Sequence, residues 1–442
     1  MKTLEQLGIK VPEILLPKNI DVSTWSVIAC DQYTQDLDYW KKTEETVNGK
    51  PSTLNLILPE VYLNSPDKAQ RIEKIRQSMK SYLSNHVFAE PKNCFVYVER
   101  TTAFGRTRKG LVAQIDLETY EWKPFSKANI RATEATIVDR IPPRKEIRQG
   151  APLELPHIML LVNDKDGVLV EDCGKLAKKK APLYDGNIMM NGGKITGWEL
   201  SSESEIEAVT EAVNKIADKN SAADGSTFLF AVGDGNHSLA TAKAVWDEYK
   251  AELVEKGASE TELKNNPVRY ALVEIVNIYD TGLTFEPIHR VIFNIDSHSL
   301  IQNLSEKLDG TFREVTTAEE LESSVKKSEA DFGFVFTENG QQKYYLLSTK
   351  ITELAVSRLQ PEIDTFLKNL SSTEAEIDYI HGTEEVFRLG AQNNSTAILL
   401  PPISKDSFFE TINGRGPLPR KSFSMGEADE KRFYLECRKL FN

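Results

Sequence analysis

A chain of 442 residues with a net charge of -12, 40% apolar and 27% charged, has globular composition, and about 150 residues per domain predicts two or three domains. The acidic balance argues against a broad electrostatic grip on DNA or RNA, so nucleic acid is not an expected partner. Cys30, Cys94, Cys173 and Cys437 lack paired-ligand spacing, which predicts neither a zinc site nor a disulfide framework, and the absence of a signal-like N-terminal run or a membrane-length apolar stretch predicts a cytoplasmic protein with no membrane partner.

In chain order, residues 25–30 read as a short buried strand, followed by a polar and aromatic stretch that begins at Asp31. Ile72, Ile75, Met79 and Leu83 repeat at helical spacing within 69–87. Residues 93–100 and 108–117 read as a strand pair turning near Gly105, and 155–162 as a further strand. The glycines of 191–198 predict a hairpin, and Ile206, Val209, Val213 and Ile216 predict a helix over 203–218. Charged, glycine-broken 248–266 reads as a helix end with an exposed loop, whereas 270–278 and 332–336 are β-rich. Alternation of the two element types predicts an α/β or α+β fold, with regions 1–125, 126–290 and 291–442.

Apolar residues 228–231 run into Val232, Gly233, Asp234, Gly235, Asn236, His237 and Ser238, and Leu239, Ala242, Trp246 and Tyr249 then repeat at helical spacing. A strand, a glycine turn and a helix start form a ready phosphate site, because first-turn amides lack partners inside the helix and its dipole favours negative charge. The same pattern also describes an ordinary Asp-Gly turn with a polar helix cap. No P-loop element and no kinase-type glycine loop is present.

A second cluster runs from Arg131, Thr133, Glu134 and Thr136 through Arg140, Arg144, Lys145 and Arg148 to Glu154 and His157. A carboxylate beside hydroxyls and arginines suits phosphoryl transfer; a solvated basic face with Glu134 and Glu154 in surface ion pairs is the alternative. His289 with Arg290, and Arg420 with Lys421, offer further phosphate-binding groups.

Asp234 to Ser238 resembles the Asp-Gly-His-His-Arg box of the domain-of-unknown-function family 1015. Residues 131–136, 153–158, 191–193 with Gly197 and Trp198, 283–290 and 419–422 match that family in order. The resemblance implies a mixed-sheet core of ParB/sulfiredoxin-like type, with added N- and C-terminal α/β segments, and a relation to free serine kinases. It implies that Gly233, Gly235, Asn236, His237 and Ser238 hold phosphate, that Asp234 orients the loop or a metal ion, and that Glu134 acts as general base, making Glu134, Asp234 and His237 the catalytic group. Asn236 and Ser238 stand where a His and an Arg are common in the family, so the missing charge would come from Arg131, Arg144, Arg290 or Arg420. Asp31, Thr136 and His289 are the expected substrate contacts. No thiol stands at the turn for sulfiredoxin chemistry.

The resulting expectation is a small-molecule phosphotransferase using ATP, ADP or pyrophosphate with Mg²⁺, with L-serine as one acceptor and no protein ligand set assigned to a metal. The alternative is a non-catalytic ParB-like nucleotide-binding or regulatory module.

Overall fold

The computed structural model describes residues 1–19, 21–370 and 374–441. They form two compact units: Met1–Leu283 with the segment returning from Glu427, and Thr284–Gly426. The boundary expected near 125 instead falls inside the first unit, because strands on both sides of it share one sheet. The boundary expected near 290 lies close to the observed break after Leu283, but the end of the expected C-terminal region belongs to the first unit.

The sheet of the first unit contains, in chain order, β1 (Ile9–Lys10), β2 (Phe95–Thr101), β3 (Thr107–Asp116), β4 (Tyr120–Glu121), β5 (Ile130–Arg131), β6 (Met159–Val162), β7 (Tyr184–Ile188), β8 (Gly193–Leu200), β9 (Phe230–Asp234) and β10 (Tyr270–Asn277). Their spatial order is β7-β8-β2-β3-β10-β6-β9-β5-β4, with β1 paired to β3. The neighbours β10/β6, β9/β5 and β5/β4 are parallel, whereas β9 runs antiparallel to β6. The fold is therefore mixed α/β. Every residue of β10 is buried, as expected for a central strand covered on both faces.

Local chemistry explains most of the elements. The predicted helix over 203–218 forms as Glu203–Lys219 behind a capping box of Ser202 and Glu205. The strand pair turns through Gly105 at φ 74°, and the glycine hairpin becomes β7 and β8. Two expectations need correction. Within 25–30, only Ile28 pairs, as an isolated bridge to Phe433, while Val22–Trp25 is helical because Asp21 accepts the Ser23 amide. The strand expected from residue 155 starts at Met159, since Pro156 has no amide hydrogen for a ladder.

The second unit has its own antiparallel sheet of β11 (His289–Phe293), β12 (Thr311–Val315), β13 (Phe332–Glu338), β14 (Gln341–Ser348), β15 (Glu376–Ile380) and β16 (Ser395–Leu399), in the order β12-β14-β13-β16-β11-β15.

Residues 427–441 thread back through the first unit on buried charges. Glu274 in β10 is 1% exposed and meets Arg108 at 3.3 Å and also Arg432, which reaches Glu436 at 2.6 Å. Glu436 in turn accepts the Tyr184 hydroxyl. Gly110 makes room for this carboxylate, since a Cβ there would lie 2.3 Å from Glu274 Oε1. Arg100 donates to the carbonyls of Gly192 at 2.8 Å, Asp429 at 2.9 Å and Lys431 at 3.2 Å. Burial pushes the Glu274 carboxyl up, but Arg108 and Arg432 outweigh it and hold the group below the ordinary 4.5.

A carboxyl held low when folded stabilises the protein above the unfolded value, and that contribution is lost as pH falls through the folded value. Stability is expected to hold above about pH 4.5 and to drop on further acidification. Glu274→Gln, which takes the carboxylate from buried Arg108 and one of two from buried Arg432, is expected to cost about 3–5 kcal/mol in urea denaturation and to flatten the acid limb of stability against pH.

Candidate active site at the glycine turn

β9 ends at Asp234, Gly235 takes φ 84°, and the helix Asn236–Glu255 begins at once. Only glycine enters this left-handed region freely, and a Cβ at 235 would meet Ile158 Cγ1 at 3.0 Å. The Gly235 amide is used by Asp234 Oδ1 at 3.0 Å, and the Leu239 amide by the Gly235 carbonyl at 2.9 Å. Among the described residues, the Asn236 and Ser238 amides meet no acceptor. Twenty aligned peptide units stand behind that first turn, so it is electropositive.

The side chains divide their work. Asn236 Oδ1 accepts the Thr133 amide at 3.1 Å and its Nδ2 donates to Thr133 Oγ1 at 3.1 Å, while Thr133 Oγ1 donates to the Val232 carbonyl. His237 Nε2 accepts the Ile137 amide at 3.3 Å, which puts the ring hydrogen on Nδ1. Asp234 Oδ2 lies 3.3 Å from Lys431 Nζ, a cation contributed by the returning segment. Thr136 Oγ1 is buried with no hydrogen-bond partner among the described residues, and Glu134 is partly exposed on the same 133–137 segment.

Ser238 points into a different environment. Its Oγ lies 2.7 Å from His157 Nε2, and His157 Nδ1 lies 2.9 Å from the Tyr434 hydroxyl, which accepts the Cys30 amide at 3.2 Å. These residues border a cavity of about 140 Å³ whose other walls include Leu56, Leu58, Met79, Ile147 and Leu153. Arg144 and Arg148 also line it. Arg144 grips Glu60 through two hydrogen bonds of 2.8 and 2.7 Å. Burial raises the Glu60 carboxyl above 4.5, and nearby Asp31 adds to the rise against the pull of Arg144.

Glu154 is buried rather than part of a surface ion pair. Arg148 meets it at 2.5 Å and Arg438 also bonds it; together they overcome desolvation and lower its carboxyl.

The turn does not gather every expected residue. Asn236, His237, Ser238, Asp234, Glu134 and Thr136 share the region, and Arg144 and Asp31 lie toward the cavity side. The Arg131 guanidinium is held by the Ala128 carbonyl at 2.8 Å and over the Phe228 ring at 4.4 Å, at the entry end of β9 rather than at its turn. His289, Arg290 and Arg420 belong to the second unit. There His289 Nδ1 accepts the Leu400 amide at 3.0 Å and burial pulls its ring down to about 4, while Arg290 is bonded to Gln360 at 2.8 Å. Lys431, Tyr434 and Glu60 were not legible as site residues, because no local motif ties residues so far apart in sequence to the turn.

A family model described as a protein of unknown function, DUF1015, matches residues 14–370. The chain belongs to the DUF1015 family. No protein with a curated description matches it. Among solved structures, this DUF1015 protein is similar to a conserved hypothetical protein from Pyrococcus furiosus, with 11% identity, 75% of this chain and 95% of that one covered, and a TM-score of 0.35. A free serine kinase in complex with AMP gives 12% identity, 73% and 90% coverage and a TM-score of 0.35. SbnI with a C-terminal truncation, from Staphylococcus aureus, gives 10% identity, 71% and 83% coverage and a TM-score of 0.34. Overlays at these TM-scores are loose.

Burial pushes the thiols of Cys94 and Cys173 up to about 12 and those of Cys30 and Cys437 up as well. Native protein at pH 8 is expected to resist iodoacetamide for as long as the urea-unfolded chain needs to label all four thiols, counted by mass. Gly235→Ala is expected to lower stability by about 1–2 kcal/mol in urea denaturation, with Gly235→Asn milder because Asn tolerates the left-handed region.

Proposed function

We propose that the first turn of the helix Asn236–Glu255 receives the phosphate of a nucleotide or pyrophosphate, and that the protein transfers a phosphoryl group to the hydroxyl of a small acceptor. The observation that carries this reading is the pair of open amides at Asn236 and Ser238, behind a glycine whose φ of 84° lets a ligand approach the backbone. Asp234 would repel an anion, and Lys431 at 3.3 Å offsets that charge. The buried, partnerless Thr136 hydroxyl supplies a further polar group for a ligand to satisfy. Glu134, one residue beyond the Thr133 that Asn236 holds, is the base proposed for the acceptor hydroxyl. Free L-serine as acceptor rests on the motif resemblance at residues 234–238 and is the finer part of the proposal.

Mg²⁺ commonly uses one or two carboxylates together with phosphate oxygens, and Asp234 is the carboxylate that would hold it here. When bound it would neutralise charge on the transferring phosphate. Among the described residues, no group of three or more His, Cys, Asp or Glu side chains could hold a metal ion. Gly233, Gly235 and the amides after them orient the donor, and the remaining charge falls to Lys431 rather than to Arg131.

A second reading, a non-catalytic ParB-like nucleotide-binding module, draws on a specific feature. Asn236 and His237 spend their side chains on the backbone of Thr133 and Ile137. Phosphate on the turn would then be felt by the 133–137 segment, a route to regulation without chemistry.

A melting screen against ATP, ADP, CTP and pyrophosphate, each with Mg²⁺, is expected to show a rise with at least one of them, since a ligand bound only by the folded state raises the midpoint. Product assays with serine and other small alcohols then separate the readings. Turnover that His237→Ala abolishes without lowering the ligand-free melting point supports the transferase, and stabilisation with no product supports the module. No rise with any of the four removes both.

A further inference from the structure

The hydrogen-bonded series Ser238, His157 and Tyr434 is not used by phosphate binding at the open amides, and it opens on a cavity with mostly apolar walls. The arrangement has the parts of an activated hydroxyl. Ser238 sits in the first turn of the helix, half-buried rather than sealed in the core, so a substrate reaches its Oγ. The imidazole is 2.7 Å from that oxygen and is fixed on its other nitrogen by a fully buried phenol 2.9 Å away.

The phenol admits the tautomer that a base at Nε2 requires. Tyr434 has one hydrogen, and the Cys30 thiol lies beside it. With that hydrogen turned to the thiol, the phenol oxygen accepts from both the Cys30 amide and His157 Nδ1–H, leaving the Nε2 lone pair to accept from Ser238 Oγ–H. A serine whose hydroxyl faces a base, with the base held by a third group, is the general form of an activated nucleophile.

We propose that Ser238 is a nucleophile activated by His157, and that the cavity beside it takes the short apolar acyl group of a carboxylic ester. About 140 Å³ gives room for a group of benzene size, roughly six carbon atoms. Ser238 Oγ attacks the ester carbonyl as its proton passes to His157 Nε2. The tetrahedral intermediate collapses, the carbonyl carbon–alkoxy bond breaks, and the leaving alcohol takes the proton from His157. Water then attacks the acyl-serine with His157 taking a water proton, the acid departs, and Ser238 Oγ recovers its proton. Ester and water give acid and alcohol. The open amides of the first turn provide donors for the oxyanion, the charge they are equally suited to hold on a phosphate. Tyr434 is a positioning residue.

The test uses the full chain without nucleotide. An alkyl fluorophosphonate probe followed by peptide mass mapping is expected to place the adduct on Ser238 of the wild-type protein. Hydrolysis of p-nitrophenyl butyrate is expected to fall about 100-fold or more in Ser238→Ala and His157→Gln. Tyr434→Phe is expected to lower kcat with KM little changed, a split that loss of packing would not produce. Mapping on the wild type keeps the result decisive even where a variant folds poorly. An adduct at another residue, no adduct, or wild-type ester hydrolysis by Ser238→Ala overturns the proposal. Nucleotide stabilisation is read separately, so this activity and the phosphate reading fail independently.

Discussion

The buried charge network around Glu274 is the constraint on which the first unit depends. A central strand covered on both faces has no place for a lone carboxylate, yet Glu274 sits in one at 1% exposure. Arg108 comes from the neighbouring strand and Arg432 from a segment more than 150 residues later in the chain, and both charges must arrive for either to be tolerated. Their pairing draws residues 427–441 across the sheet. Lys431 and Tyr434 flank Arg432 on that segment, so the network that satisfies Glu274 also delivers a cation to Asp234 and a phenol to His157.

The helix start serves two environments. Toward the 133–137 segment are the side chains of Asn236 and His237 and the unsatisfied Thr136 hydroxyl. Toward the cavity are Ser238 and His157 against leucine, isoleucine and methionine walls. Ser238 meets His157, and Lys431 stands beside Asp234.

Periodic elements were legible because their signals are local. The helix Glu203–Lys219 carries its own capping box, and the hairpins carry glycines at their turns. Residues 25–30 misled because an apolar run reads as a strand whether or not a partner strand exists, and here the Asp21 cap turns the chain into a helix before it. The three expected regions failed at 125 for a related reason. Hydrogen bonding between strands is non-local, so composition on either side of that point says nothing about whether the strands share a sheet.

The same division governs the site. By itself the sequence determined the strand, the left-handed glycine and the helix start at Gly235, together with family membership, because these depend on residues adjacent in the chain. Tertiary structure alone decided which charges stand there: it held Arg131 on Phe228 and Ala128, locked Arg144 to Glu60, and brought in Lys431, His157 and Tyr434. A charge acts over a few ångströms of space whatever the separation along the chain, and folding is what sets that distance.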